Sequence, residues 1–321
     1  MAGLHGTGLG SKESVDAALM EAHERFAGDR DGETIKIYPA LAAMPPDLFG
    51  IAAAGADGMI SSAGDADHPF VLMSVSKPFV FALLVEEIGA LAARAEIGMN
   101  ATGLPFNALG AIERDAGGRT NPMVNAGAIA TTSLVPGETL EAKWRFIHAG
   151  LERFAGRPLF MDDAVYRSAS LTNTRNKAIG LLLSSFGRLG TSAEDAVELY
   201  TRQCSLAVTS RDLAVMGAAL ALGGRHPLTG EAVVGGAAAR SSLAAMATAG
   251  LYEKSGDWLY DVGLPGKSGI SGGIVAVAPG RGAIGCFGPR LDAAGNSAKG
   301  QHAARLIAAR LRLDIFAAAA C

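Results

Sequence analysis

The chain has 321 residues, 49% of them hydrophobic and 18% charged, with a formal net charge of −3. That length allows one large domain or two smaller ones around a sizeable core. A near-balanced charge with no basic block speaks against a nucleic-acid partner, and no apolar run approaches the roughly 20 residues of a membrane helix, so no membrane partner is expected either. Cys204, Cys286 and Cys321 are too few and too scattered for a disulfide framework or a zinc site, so the expected metal is none and the expected compartment is reducing. Met1-Ala2-Gly3-Leu4-His5-Gly6 lacks the charged and apolar regions of a secretory leader, which points to a cytoplasmic location.

In chain order, residues 11–28 have helical spacing, with Val15, Ala18, Leu19 and Ala22 on one stripe and Ser14-Val15-Asp16 as the expected start. The runs 49–54 and 58–62, joined by Gly55-Ala56-Asp57-Gly58, predict a hairpin. Phe70–Met73 is a short extended run, followed by a helix over 76–88 that stops at Gly89. Pro78 falls in the first turn of that helix, where a missing N–H matters least. The pattern is then largely helical to about 223, with helices expected over 125–134, 142–154, 164–186, 193–203 and 210–222, and another over 241–250. Strands are expected at 258–262, 273–279 and 282–287, a closing helix over 297–313, and a frayed tail at Ala317–Ala320. Strands at both ends and helices between them predict an α/β domain built from 1–75 and 225–321, interrupted by a helical domain over 76–224.

Within this outline Ser74-Val75-Ser76-Lys77 carries chemistry. Residues i and i+3 share a helix face, so the Ser74 hydroxyl and the Lys77 amine can meet. An amine held neutral can take the serine's proton and make it a nucleophile for acyl transfer. Alone, Ser74 reads equally as a helix N-cap and Lys77 as a surface lysine.

Other motifs follow in order: Asn121-Pro122-Met123-Val124-Asn125-Ala126-Gly127-Ala128-Ile129, Arg175-Asn176, Tyr200 to Ser205, Gly250-Leu251-Tyr252, and Gly266-Lys267-Ser268-Gly269-Ile270-Ser271-Gly272-Gly273. Taken with Met73–Pro78, this set resembles the serine-dependent glutaminases, relatives of the serine β-lactamases and penicillin-binding proteins, over roughly residues 12 to 310. The resemblance implies an α+β, β-lactamase-like fold, an antiparallel sheet flanked by helices plus an all-helical domain, with the active site between them. It implies hydrolysis of L-glutamine to L-glutamate and ammonia with no cofactor, a small-molecule substrate, and a homodimer or homotetramer.

Carried over by residue, Ser74 is the nucleophile and Lys77 its activator. The backbone N–H groups of Ser74 and Ile270 form the oxyanion hole, where the family often has Val in place of Ile270. Tyr252 is a proton shuttle and substrate contact, and Asn125, Asn176 and Tyr200 bind substrate. Lys267 supplies positive potential or a structural ion pair. Asn121 reads as a structural turn residue. Core-edge tyrosines and turn-capping asparagines are the alternatives for the others.

Two departures stand out. Family members usually carry a glutamate seven residues before the Asn of Arg-Asn, which binds the substrate ammonium. Here Ala169 stands at that place, and no acidic residue lies between Asp163 and Glu194. The family's Tyr-Ile-Pro is Ile37-Tyr38-Pro39 here, which displaces Tyr38 by one residue unless a bulge restores it. Three functions therefore remain in view: a glutaminase or an amidohydrolase of altered preference, a penicillin-reactive acyl transferase, and a non-catalytic glutaminase homologue.

Overall fold

The computed structural model describes residues 8–317. The leader reading of Met1–Gly6, Cys321, and all but the first residue of the Ala317–Ala320 tail lie outside the described residues.

The strands are β1 (Gly50–Gly55), β2 (Ile60–Gly64), β3 (Phe70–Val71), β4 (Ala207–Val208), β5 (Gly266–Ser268), β6 (Gly273–Ala278) and β7 (Gly282–Phe287). Five form one antiparallel sheet in the order β2-β1-β7-β6-β5, while β3 and β4 form a separate pair. The helices are α1 (Lys12–Phe26), α2 (Pro39–Ala42), α3 (Lys77–Ile88), α4 (Ala90–Ile97), α5 (Gly110–Glu113), α6 (Asn125–Leu134), α7 (Leu140–Ala155), α8 (Asp163–Thr172), α9 (Thr174–Ser185), α10 (Ala193–Cys204), α11 (Ser210–Ala221), α12 (Gly236–Ala249), α13 (Ser255–Val262) and α14 (Ala298–Arg310). The chain therefore has the expected arrangement of an antiparallel sheet flanked by helices. Among the described residues no helix is long and apolar enough to cross a membrane.

Both faces of the sheet are buried, and the period-2 alternation of its strands sorts side chains between two cores. Ile51, Ala53, Ile274, Ala276, Ile284 and Cys286 join the core under α1 and α14. Ala52, Ala54, Val275, Val277, Ala283 and Phe287 join the core that includes α11. Glycine sets how closely α11 approaches. A Cβ on Gly285 would lie 2.3 Å from the Ser210 carbonyl oxygen, and one on Gly217 would lie 2.6 Å from Val275. Hydrogen at Gly285 lets the backbones of helix and sheet touch, and hydrogen at Gly217 leaves room for the Val275 and Ala283 side chains.

The expected hairpin is present as β1 and β2, with Gly58 N–H donating to the Gly55 carbonyl in its turn. Four local expectations are corrected. Ser11, not the stretch from Ser14, caps α1 by accepting from Ser14 N–H. The segment 258–262 is helical, not extended. Its alternation of Trp258, Tyr260 and Val262 would bury all three on a strand, yet Tyr260 is 92% exposed and the buried residues are Ser255, Trp258 and Val262, which is helical spacing. The single helix expected over 164–186 is broken at Asn173 into α8 and α9. Asn173 Nδ2 donates to Thr201 Oγ1 at 2.7 Å, so a tertiary bond to α10 fixes the break. Finally, β5 and α4 form where no separate element was expected.

Candidate active site

Ser74 lies in a 3₁₀ turn, Met73–Ser76, that runs directly into α3. Three residues per turn eclipse positions i and i+3, which aligns Ser74 with Lys77 more closely than an α-helix would. The turn is entered under strain: Met73 has φ of 45°, a left-handed conformation rare for a side chain of its kind. The β3–β4 pair and the bond from Leu72 N–H to the Leu206 carbonyl hold the entry in place.

Lys77 is 1% exposed. Its Nζ donates to Asn125 Oδ1 at 2.8 Å and to the Met123 carbonyl at 3.1 Å, and among the described residues it forms no salt bridge. Burial without a counter-charge lowers its pKa to about 7. A neutral amine has two N–H donors and one lone pair. Both donors are occupied, so the lone pair is the part left over. Among the described residues no hydrogen bond joins it to Ser74.

Asn125, the first residue of α6, is the hub of the site. Its Oδ1 accepts from Lys77 and, at 3.2 Å, from the Tyr200 hydroxyl, while its Nδ2 donates to Asn176 Oδ1 at 2.8 Å. The preceding turn is held by Asn121, whose Oδ1 accepts from Met123 and Val124 N–H and whose Nδ2 donates to the Asn100 carbonyl. Burial pushes the Tyr200 phenol well above its ordinary range and the Tyr252 phenol up to about 12; the adjacent Ser74 hydroxyl pulls each down by less. Tyr252 adopts φ of 58° and packs against Phe106 with centroids 4.6 Å apart and ring planes tilted by 36°. Its hydroxyl donates to the Ser268 carbonyl at 3.2 Å.

Lys267, on β5, is fully buried and sits 4.1 Å from the Tyr252 ring centroid. It donates to the Gly250 and Ser268 carbonyls and forms no ion pair among the described residues. Burial first, and then the nearby Lys77, drive its pKa well below the ordinary lysine value. The turn after β5 comes against the serine: a Cβ on Gly269 would lie 3.4 Å from Ser74 N. Ser74 N–H is in the first turn of its 3₁₀ segment, where donors lack intrahelical acceptors. Neither the Ser74 nor the Ile270 N–H has a backbone hydrogen-bond partner among the described residues.

Ser74, Asn125, Asn176, Tyr200 and Ile270 line one cavity of about 100 Å³. Tyr38 and Ala169 line it too, so the shifted tyrosine does reach the site; it forms the N-cap of the short helix α2. Lys77, Tyr252 and Lys267 stand behind the lining. Sequence reasoning missed Phe106, Asn173, Thr201 and Cys204, which also face the cavity. Asn173 was hidden inside an expected helix, and Phe106 reaches the site from a loop without regular pattern. Thr201 and Cys204 had a signal, since they lie one residue and one helical turn after Tyr200 on α10. Burial pushes the Cys204 thiol up to about 11.

Residues 32–316 match the family model described as Glutaminase. A curated relative, Glutaminase 2 of Yersinia pestis, is 58% identical, with 96% of this chain and 91% of the relative covered. Among solved structures, the probable glutaminase ybaS superimposes with a TM-score of 0.94 at 42% identity, covering 96% of this chain and all of that one. Mglu in its glutamate form gives 0.88 at 38% identity, covering 96% of this chain and 70% of that one. With the fold and the buried serine–lysine turn already described, these likenesses leave one assignment: the chain belongs to the glutaminase family and is an amidohydrolase.

Proposed function

We propose that this enzyme hydrolyses the side-chain amide of L-glutamine through an acyl-enzyme on Ser74, with Lys77 as the base. The observation that carries this mechanism is the state of Lys77: buried, without a counter-charge, and with both N–H donors committed. The free lone pair accepts the Ser74 proton as Oγ attacks the amide carbon. Charge then develops on the amide oxygen, which the N–H groups of Ser74 and Ile270 receive. The lysine proton passes to the departing nitrogen, the C–N bond breaks and ammonia leaves. Water attacks the ester by the same route in reverse and releases glutamate.

Tyr252 carries the proton between lysine and leaving group in this reading, which its position beside Ser74 and its bond to the Ser268 carbonyl support. Asn125, Asn176 and Tyr200 bind the substrate. Lys267 holds the Tyr252 ring from behind. The cavity between sheet and helical region takes a small molecule, and a glutamate-bound form is known for the relative Mglu. Ammonia release from L-glutamine tests the proposal. Ser74→Ala is expected to lower kcat on the order of 10⁴-fold or more, as for other serine nucleophiles. Unchanged release by that variant would sink it.

A further inference from the structure

The charge around the cavity is one-sided. None of its lining residues is Asp or Glu, and Arg175 is the only one with a formal charge. The Arg175 Nε donates to the Asn107 carbonyl, and among the described residues its Nη nitrogens make no hydrogen bond or ion pair. Asn176 adds to the same polarity. Its Oδ1 is taken by Asn125 Nδ2, so its own amide N–H groups are the part left for a ligand. In the same lining, Ala169 offers a methyl, buried to 4% exposure. The Thr201 hydroxyl on that wall donates its proton to the Val197 carbonyl and accepts from Asn173 Nδ2.

These donors suit a carboxylate, which takes strong charge-assisted hydrogen bonds from arginine and amide N–H groups. They do not suit an ammonium. An ammonium brought into this cavity loses water and finds no carboxylate, and the one charged lining residue, the exposed Arg175, carries a like charge. The acceptors this lining offers it are neutral oxygens, among them those of Asn107, Asn173, Thr201 and Tyr38, and a neutral acceptor gives about half the strength of a charged one.

We propose that this enzyme selects amides of dicarboxylic acids whose α-carbon bears an uncharged substituent (hydrogen, hydroxyl or oxo) over amino-acid amides, with Arg175 and Asn176 receiving the carboxylate and Ala169 removing the partner for an ammonium. The proposal rests on the Ser74 hydrolase mechanism and narrows its substrate. The bond broken is the same C–N bond, with water as the only co-reactant and ammonia as the leaving group.

The test compares kcat/KM for glutaramate, which is L-glutamine without its amino group, with that for L-glutamine itself, using the intact wild-type enzyme and Ser74→Ala as the blank. A value for glutaramate equal to or above that for L-glutamine is the expected result. A higher value for L-glutamine overturns this selectivity while leaving the hydrolase mechanism standing. Hydrolysis of neither amide overturns the mechanism and the selectivity together. Ala169→Glu is expected to move the ratio toward L-glutamine by at least tenfold. A folded variant with no shift overturns the role of this wall, and if the variant does not fold the wild-type ratio still decides.

Discussion

The two walls of the cavity are built on different terms. Around Ser74 the amines and a phenol are tied to distant parts of the chain: Lys77 to Asn125 and Met123, Tyr200 to Asn125, and Lys267 to the Gly250 carbonyl. Two residues there, Met73 and Tyr252, hold positive φ, a conformation that persists only when its surroundings over-determine it. The α8–α9 wall is looser. Leu171 is 84% exposed and Leu181 67%, and the buried hydroxyls of Ser168 and Ser170 have no partner among the described residues. The contrast teaches that the half around Ser74 is held by a network of tertiary hydrogen bonds, whereas the α8–α9 wall, proposed to recognise the substrate, is tied to that network through Asn176 and holds buried hydroxyls with no partner among the described residues.

The largest expected effect that breaks the locked half comes at Lys77. Lys77→Met keeps the volume and removes the proposed base, and is expected to lower kcat/KM by about 10²–10⁴-fold, the usual range for a general base. The sign of the pH dependence follows from its depressed pKa of about 7. Below pH 7 the amine is protonated and has no lone pair, so wild-type kcat/KM falls as pH drops through 7 and levels off above it. A wild-type profile flat from pH 5.5 to 8 would show that the lysine is not the base.

Asn125 comes next, because three partners meet on it. Asn125→Ala removes the acceptor for Lys77 and Tyr200 and frees Asn176. Loss of a hydrogen bond to a charged or developing charged group costs about 1.5–3 kcal/mol, or roughly 10- to 150-fold in kcat/KM. Steady-state kinetics beside a thermal melt check it. A loss below about threefold in a folded variant would mean that the network is not holding the lysine.

The two walls also differ in how far the sequence reveals them. Ser74, Lys77, Asn125, Tyr200 and Tyr252 lie in compact motifs, and the period-2 and 3.6-residue patterns place the sheet and most helices around them. The break at Asn173 was not legible, since it depends on a bond to Thr201 on another helix. Nor was helix α13, where three alternating hydrophobic residues look like a strand until Tyr260 is seen to face solvent. Phe106 depends on a loop path that no local pattern encodes. What is missing from the sequence in each case is a tertiary contact, and such contacts override local propensity.

Tyr38 provides the smallest and sharpest test, since it lies in the cavity but outside the network. Its hydroxyl makes no hydrogen bond among the described residues, and burial pushes its pKa up to about 12, so it stays a neutral phenol at working pH. A neutral hydrogen bond to substrate contributes about 0.5–1.5 kcal/mol. Tyr38→Phe is therefore expected to lower kcat/KM by roughly 2- to 10-fold, mostly through KM, with kcat and its limb near pH 7 unchanged. A fall in kcat beyond that range would draw Tyr38 into the reacting half and erase the division between the two walls at this point. An unchanged KM would place the bound substrate away from α2, against the α8–α9 wall alone.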